Sequence, residues 1–283
     1  MTVEHRLRIG DRDVLLVEGP EGWGECSPFP SYPCDFGAAR RAAEEAATIG
    51  WPPPVRTAVP VNAFVGDGDE FDPEDWAGYP AVKVKVGRRS PEEDVDRVAR
   101  IRDLVGPEVG VRIDANGAWD VDTAIATLDR MARFDLEFAE QPVASLDDLR
   151  AVRRRVTVPI AADECVRTVA DACRLRTTDA ADVIVLKVQP LGGVRAALAI
   201  ANAAGVPAVV SSMYETSIGL AAGLALAAAL PDLPFACGLA TLGEIAGDVT
   251  ATPLVPSGGV LAIPAGFPPE PAAELLRRYA VAE

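Results

Sequence analysis

One histidine, three lysines and no Cys-x-x-Cys pair are what this 283-residue sequence has least of, and each scarcity removes a class of chemistry. The lone histidine is His5, near the N-terminus, and reads as a surface or edge-strand residue. Ser-His-Asp and Cys-His mechanisms and multi-histidine zinc sites therefore have almost nothing to draw on. The five cysteines (Cys26, Cys34, Cys165, Cys173, Cys237) are odd in number and scattered, which fits reduced, structural thiols rather than a disulfide framework. No uninterrupted apolar run reaches the roughly 18 residues of a membrane span. The Ala/Leu-rich stretch around Leu220–Leu230 is broken by glycine, ends at Pro231 and reads as a buried helix. Positive charge is short as well. A net charge of −15 argues against nucleic acid and anionic membrane surfaces as partners. The first residues, with Glu4, His5, Arg6 and Arg8, carry no apolar signal region, so the expected location is the cytoplasm. The sequence carries no signal for an oligomeric state.

The shortage of lysine is the most informative. Of 27 basic residues, 24 are arginine, and the lysines are Lys83, Lys85 and Lys187. Arginine holds its proton under all ordinary conditions, whereas burial and neighbours tune lysine towards neutrality. Three lysines retained in so arginine-biased a chain mark positions that need a removable proton.

From about residue 58 the chain keeps a beat. Short β-branched runs at Val59–Val65, Ala81–Val86, Val109–Asp114, Leu136–Glu140, Pro159–Asp163, Val183–Val188, Pro207–Ser211 and Phe235–Leu239 recur every 22–28 residues. Charged, alanine-rich helical patterns separate most of them, at Glu92–Leu104, Val121–Arg133, Leu146–Arg154, Val169–Thr177, Val194–Ala204 and Ile218–Leu230. Eight strands alternating with helices predict an α/β fold, a parallel (β/α)8 barrel rather than an open sheet. The first crossover, residues 66–80, is rich in Asp, Gly and Pro and makes a poor helix. Residues 1–57 break the beat. Strands at Leu7–Ile9, Val14–Val17 and Gly22–Glu25, a helix at Phe36–Ala47 and the breaker Pro52-Pro53-Pro54 predict a small α+β capping domain. A strand at Leu254–Ile263 and a helix at Pro271–Tyr279 are expected to complete that cap, with the barrel spanning 58–252.

Barrel active sites lie at the C-terminal ends of the strands. The second strand ends in AVKVKVG, where alternation puts Lys83 and Lys85 on one face and Val82, Val84 and Val86 on the other. The valines suit the helix layer, so both lysines point into the barrel, where they need carboxylates. Those follow at the ends of the next three strands: Asp114 in VRIDANG, Glu140 in LEFAEQP and Asp163 in PIAADE, 26 and 23 residues apart. Glu164 competes with Asp163 for the same role. Three carboxylates without histidine or cysteine suit a hard cation, Mg²⁺ ahead of Mn²⁺. Lys187, 24 residues after Asp163, ends the sixth strand. A small-molecule carboxylate bound among these groups would present its α-carbon between two amines.

These motifs resemble the enolase superfamily, muconate-lactonising subgroup, over nearly the whole chain, and the resemblance implies a cap domain on a modified (β/α)8-type barrel. GWGECSP (Gly22–Pro28) resembles its cap signature, and KVKVG, RIDANGAW, EQP, ADE and the sixth-strand lysine with PLGG resemble its barrel motifs. The resemblance implies Lys85 as the base, Lys83 as its modulator, and Asn116, Gln141 and Glu164 as residues behind the metal ligands. The short chain and SSMYETSIGL (Ser211–Leu220) are most similar to the branch that aromatises a cyclohexadiene carboxylate by losing water. That likeness implies substrate contacts from Ser211, Ser212, Gly192, Phe29 and Tyr32, the last two on an apolar cap loop (Ser27–Cys34) that simple packing would also explain. Racemases, epimerases and cycloisomerases share the same five strand-end residues. A catalytically silent metal-binding barrel is the alternative of another class.

Overall fold

The computed structural model describes residues 1–68 and 71–281. Residues 69 and 70 of the first crossover, and 282 and 283 of the expected cap completion, lie outside it. The N-terminal residues form an antiparallel sheet of β1 (Val3–Ile9), β2 (Arg12–Gly19) and β3 (Gly22–Cys26), covered by helix α1 (Phe36–Thr48). Strand β2 is apolar on both faces because both are buried. Leu15 and Val17 pack with Ala39, Ala43 and Ala47 of α1, while Val14 and Leu16 pack with Ile218 and Val249 from the rest of the chain. The helix approaches closely at Gly24, where a Cβ would overlap the carbonyl of Ala43. His5 lies on edge strand β1 and bonds Glu18 across the ladder at 3.0 Å, away from any cluster of reactive groups.

After β4 (Ala58–Pro60) come the strands of one parallel sheet: β5 (Ala63–Val65), β6 (Ala81–Lys85), β7 (Gly110–Asp114), β8 (Leu136–Glu140), β9 (Ile160–Ala162), β10 (Val183–Leu186) and β11 (Ala208–Val210). Helices α2 (Pro91–Val105), α3 (Val121–Met131), α4 (Leu146–Arg153), α5 (Val169–Thr178), the short α6 (Val188–Leu191), α7 (Val194–Ala204) and α8 (Ser217–Ala229) follow β6 to β11 in turn. Serine and threonine start several of them. Ser90 and Thr168 each form a reciprocal capping box, with Glu93 and Asp171 respectively. Helix α8 is apolar all round and almost wholly buried, as the Ala/Leu-rich stretch predicts.

Three expectations need correction. The run Val59–Val65 is two strands, because β4 pairs antiparallel with β12 (Val260–Ala262) before the chain joins the parallel sheet at β5. The eighth strand is not a ladder. Cys237 bridges Val61 and Gly238 bridges Ser211, so residues around 236–238 close the ring between β5 and β11 through single contacts. The strand expected at Leu254–Ile263 pairs with β4 rather than with the cap sheet. Backbone pairing with that sheet comes after α9 (Ala273–Tyr279), which packs on it through Leu276 and Tyr279; there Ala280 bridges Leu7 and Val281 N donates to Arg6 O. The first crossover holds one turn of 3-10 helix, Pro73–Trp76.

Inside the ring, Phe138, Ala161, Val183, Val185, Val209 and Phe235 form an apolar layer. Arg112 lies fully buried beside it, stacked on Phe138 at 4.6 Å and bonded to Glu137, Asn62 and the carbonyl of Ala236. This layer is the floor on which the polar residues above it stand.

Candidate active site

The side-chain alternation of β6 holds. Val82 and Val84 are buried in the core shared with the helices, while Lys83 and Lys85 turn inward to the carboxylates. Lys83 Nζ donates to Asp114 Oδ2 at 2.9 Å and to both oxygens of Glu140 at 3.1 and 3.2 Å. Lys85 Nζ donates to the same Asp114 oxygen at 2.6 Å and to Asn116 Oδ1 at 2.6 Å. Lys187, just beyond β10, donates to Asp163 Oδ2. Asn116 Nδ2 reaches on to Glu164 Oε1 at 2.8 Å, and Gln141 Oε1 accepts from the backbone N of Asp163 at 2.8 Å. All nine of these predicted residues are thus brought together, six in a hydrogen-bonded chain that ends at the exposed Asn116 and the half-buried Glu164, and Lys187, Asp163 and Gln141 in a buried group beside it.

The network sets the three lysines apart. Burial opposes the charge on Lys83, but Asp114 and Glu140 outweigh it and raise its pKa; Asp163 does the same for Lys187. For Lys85 burial wins, helped by Lys83 and against Asp114, and the amine is shifted down towards neutrality. Among the acids, the lysines overcome burial and lower Asp114. Lys187, with Arg167 behind it, overcomes burial in the same way and lowers Asp163. Burial, with a neighbouring carboxylate, raises Glu140 and Glu164. One lysine out of three is therefore placed to give up its proton.

Among the described residues no three acidic or thiol side chains are arranged as a ready cage for a metal ion, because the lysine amines stand between the carboxylates. The donor set fits a hard divalent cation all the same. It consists of carboxylate oxygens from adjacent strand ends, and Glu164 Oε2 is buried with no hydrogen-bond partner. A cation entering here would take over carboxylate oxygens now held by Lys83 and Lys187.

Above the network lies a pocket of about 280 Å³ lined by Phe29, Tyr32, Phe64, Ser211, Ser212 and Tyr214 together with the three lysines. Phe29 stacks on Tyr214 at 5.3 Å, and Ser212 Oγ is 2.7 Å from Thr241 Oγ1. Tyr32 does more than line the wall, since its hydroxyl donates to Asp163 Oδ1 at 2.5 Å. Gly192 is not in the pocket. It closes α6 at φ 83° and faces Arg41 of α1, so it belongs to the contact between cap helix and barrel. All five cysteines are free, and burial pushes Cys26 and Cys165 up to about 12 and Cys34 and Cys237 up to about 11; Cys165 Sγ donates to Gln141 Oε1 at 3.3 Å, behind Asp163.

Sequence reasoning missed the clasp that seats the cap. Glu25, in the GWGEC motif, accepts from Ser27 Oγ, Thr216 Oγ1 and the backbone N–H groups of Thr216 and Gly219. A cap carboxylate therefore caps the N-terminus of a barrel helix. Gln189 joins Ser27 N to Glu215, and Arg12 donates to the carbonyls of Ser27, Met213 and Tyr214. Tyr214, at φ 60°, is held in the left-handed region by this clasp. The available signal was Glu25, the one charged residue of the GWGECSP stretch, whereas Arg12 sits between Asp11 and Asp13 and gave none.

Comparison with known proteins agrees with this geometry. Residues 74–267 match the enolase C-terminal domain-like family and residues 1–47 the enolase N-terminal domain-like family. An o-succinylbenzoate synthase of Thermobifida fusca (strain YX) is 55% identical over 261 residues, 89% of this chain and 81% of that protein. One of Mycobacterium ulcerans (strain Agy99) is 45% identical over 272 residues, 93% of this chain and 82% of that protein. Among solved structures, muconate lactonizing enzyme from Pseudomonas putida superposes with a TM-score of 0.85 at 21% identity, covering 99% of this chain and 98% of that one. A dipeptide epimerase from Enterococcus faecalis V583 gives 0.78 at 22%, covering 93% and 96%. At such identities the solved structures speak for the fold alone. With a barrel match over most of its length, a cap match before it and close relatives throughout, the chain belongs to the enolase superfamily.

Proposed function

We propose that the protein forms o-succinylbenzoate by dehydrating 2-succinyl-6-hydroxy-2,4-cyclohexadiene-1-carboxylate, a step of menaquinone biosynthesis, and that it works in the cytoplasm. The observation that carries this reading is the likeness to the Thermobifida synthase, which spans nearly all of the chain, cap and barrel together. The pocket supports it. Phe29, Phe64 and Tyr214 give apolar surface for a six-membered ring, and Ser211 and Ser212 give hydroxyls for the oxygens of the succinyl chain.

In this reading Lys85 takes the proton from the ring carbon that bears the carboxylate. The electrons of that C–H bond become the new ring double bond as the bond to the ring hydroxyl breaks. Lys85, now an ammonium, returns the proton to the departing oxygen, which leaves as water. Lys187 keeps its charge through Asp163 and acts by its field rather than by moving a proton. Lys83 ties Asp114 to Glu140 and, as a nearby cation, favours the neutral form of Lys85. Superfamily members generally bind a divalent metal, and here Asp114, Glu140 and Asp163 would hold Mg²⁺, with Mn²⁺ as a substitute. When bound, the cation offsets the negative charge that gathers on the substrate carboxylate.

The test is direct. Purified protein should convert the cyclohexadiene carboxylate to o-succinylbenzoate, followed by the absorbance of the aromatic product, and chelation should stop it until Mg²⁺ is restored. N-succinylamino-acid racemisation is measured beside it. Rapid racemisation with negligible o-succinylbenzoate would move the assignment to a racemase, and full turnover after exhaustive chelation would remove the metal.

A further inference from the structure

Tyr32 belongs to the cap loop, yet its partners are the innermost groups of the barrel. A turn bond from Tyr32 N to Phe29 O at 3.0 Å shapes the loop, and the side chain is buried. Its hydroxyl donates to Asp163 Oδ1 at 2.5 Å. Lys187 Nζ lies 4.0 Å from the centre of its ring and Arg167 Cζ lies 4.8 Å from it, so two cations share one aromatic ring. Asp163 thus has one oxygen held from the cap, by Tyr32, and the other held from the barrel, by Lys187. Its backbone is held by Gln141. A phenol that donates to one oxygen leaves that oxygen a second lone pair, and it fixes where the lone pair points.

We propose that Tyr32 is a positioning residue through which seating of the cap loop and binding of the divalent cation reinforce each other. The proposal rests on the reading above that Asp163 is a metal ligand. With the loop seated, Asp163 is held from both sides and presents its free lone pair in one direction. With the loop lifted, the hydrogen bond to Oδ1 is gone, and the carboxylate is restrained by Lys187 on Oδ2 and by Arg167, 3.9 Å from Oδ1. Coupling of this kind is reciprocal, so the cation tightens the loop by the same factor by which the loop tightens the cation.

The test uses the whole chain and Mn²⁺, with affinity measured by calorimetry, beside Tyr32→Phe, Cys34→Ser and Asp114→Asn. Tyr32→Phe deletes the hydroxyl and keeps the ring over Lys187 and Arg167. It should weaken Mn²⁺ binding by about 10–100-fold, the usual effect of removing a group that orients a ligand. Cys34→Ser makes an isosteric change in the same loop, at a thiol that reaches the carbonyl of Asp35 and lies outside the pocket lining, and it should leave the affinity as it is. A second readout is hydrogen exchange of the 27–35 segment by peptide mass spectrometry. Mn²⁺ should slow it in the unaltered chain and leave it unchanged in Tyr32→Phe. Equal affinities, within twofold, for the unaltered chain and Tyr32→Phe would overturn the coupling, as would equal losses in both loop variants. Failure of the unaltered chain to bind Mn²⁺ would overturn the metal reading and the coupling together, and retained binding by Asp114→Asn would point to a different ligand set and overturn both as well.

Discussion

Replacing Lys85 by arginine tests the base while leaving its charge in place. The amine sits between Asp114 Oδ2 and Asn116 Oδ1, each 2.6 Å away, with only 12% of its side chain exposed. Arginine offers a donor to both oxygens, so the ion pair with Asp114 survives and the fold should lose little. What disappears is the neutral state, because a guanidinium stays protonated at any working pH. General-base catalysis supplies roughly 10²–10⁴-fold, which at 1.36 kcal/mol per tenfold is about 3–5 kcal/mol of barrel chemistry resting on one nitrogen. Lys85→Arg should therefore cut kcat by at least about a hundredfold. The melting temperature should stay near that of the unaltered protein, and kcat is read at saturating metal because a permanent cation beside Asp114 should weaken Mn²⁺ binding. The assay is o-succinylbenzoate formation, with loss of the ring proton to deuterated solvent followed by mass spectrometry. A variant that turns over within tenfold of the unaltered enzyme, or still exchanges the proton, would refute Lys85 as the base.

Other substitutions probe the remaining parts. Lys187→Arg should keep measurable synthase activity if Lys187 acts by charge alone; total loss with normal folding would assign it a proton. Asp163→Ala and Glu164→Ala, compared by Mn²⁺ calorimetry, decide the third ligand: the first should abolish binding and the second only weaken it, and the reverse order would exchange their roles. Glu25→Ala strips acceptors from Ser27, Thr216 and Gly219 and should cost about 2–5 kcal/mol in urea unfolding, since buried donors would be left unpaired. Burial, then Glu25, push the Glu215 carboxyl from 4.5 up to about 7. The fold prefers the protonated form, so this stabilisation is complete below about pH 4.5 and is lost as pH rises through about 7, a swing of about 3 kcal/mol. Glu215→Gln should flatten the fall in stability between pH 5 and 8, and an unchanged slope would place the titration elsewhere.

What the sequence made legible follows from local periodicity. Alternation in AVKVK turned Lys83 and Lys85 inward, and the one-unit spacing of Asp114, Glu140, Asp163 and Lys187 set them on neighbouring strands, because a parallel barrel repeats its geometry once per βα unit. Where the repeat is imperfect the reading blurred. Val59–Val65 looks continuous in hydrophobicity but changes partner after Pro60, and Phe235–Leu239 has the composition of a strand although it makes only single bridges. Partners far apart in sequence left no trace at all. Glu25 meets Thr216 across 191 positions and Arg12 meets Tyr214 across 202, and no spacing rule reaches that far. The family likeness implies a substrate contact from Gly192, whereas its positive φ serves the end of a helix under the cap.

The bridge between Leu7 and Ala280 also bears on how the protein is made. Synthesis runs from the N-terminus, so the first strand is complete long before the residue it pairs with has been added. The carboxylate of Glu25 likewise waits for Thr216 and Gly219, and the apolar residues Val14 and Leu16 wait for Ile218 and Val249. On the ribosome, the cap therefore holds an unpaired β edge and an uncovered hydrophobic face while nearly the whole barrel is translated. Contacts of such long range are slow to form, because the chain between them must be ordered first. The cap residues emerge well before the barrel residues that lock them, which makes the nascent cap a segment in need of shielding from aggregation.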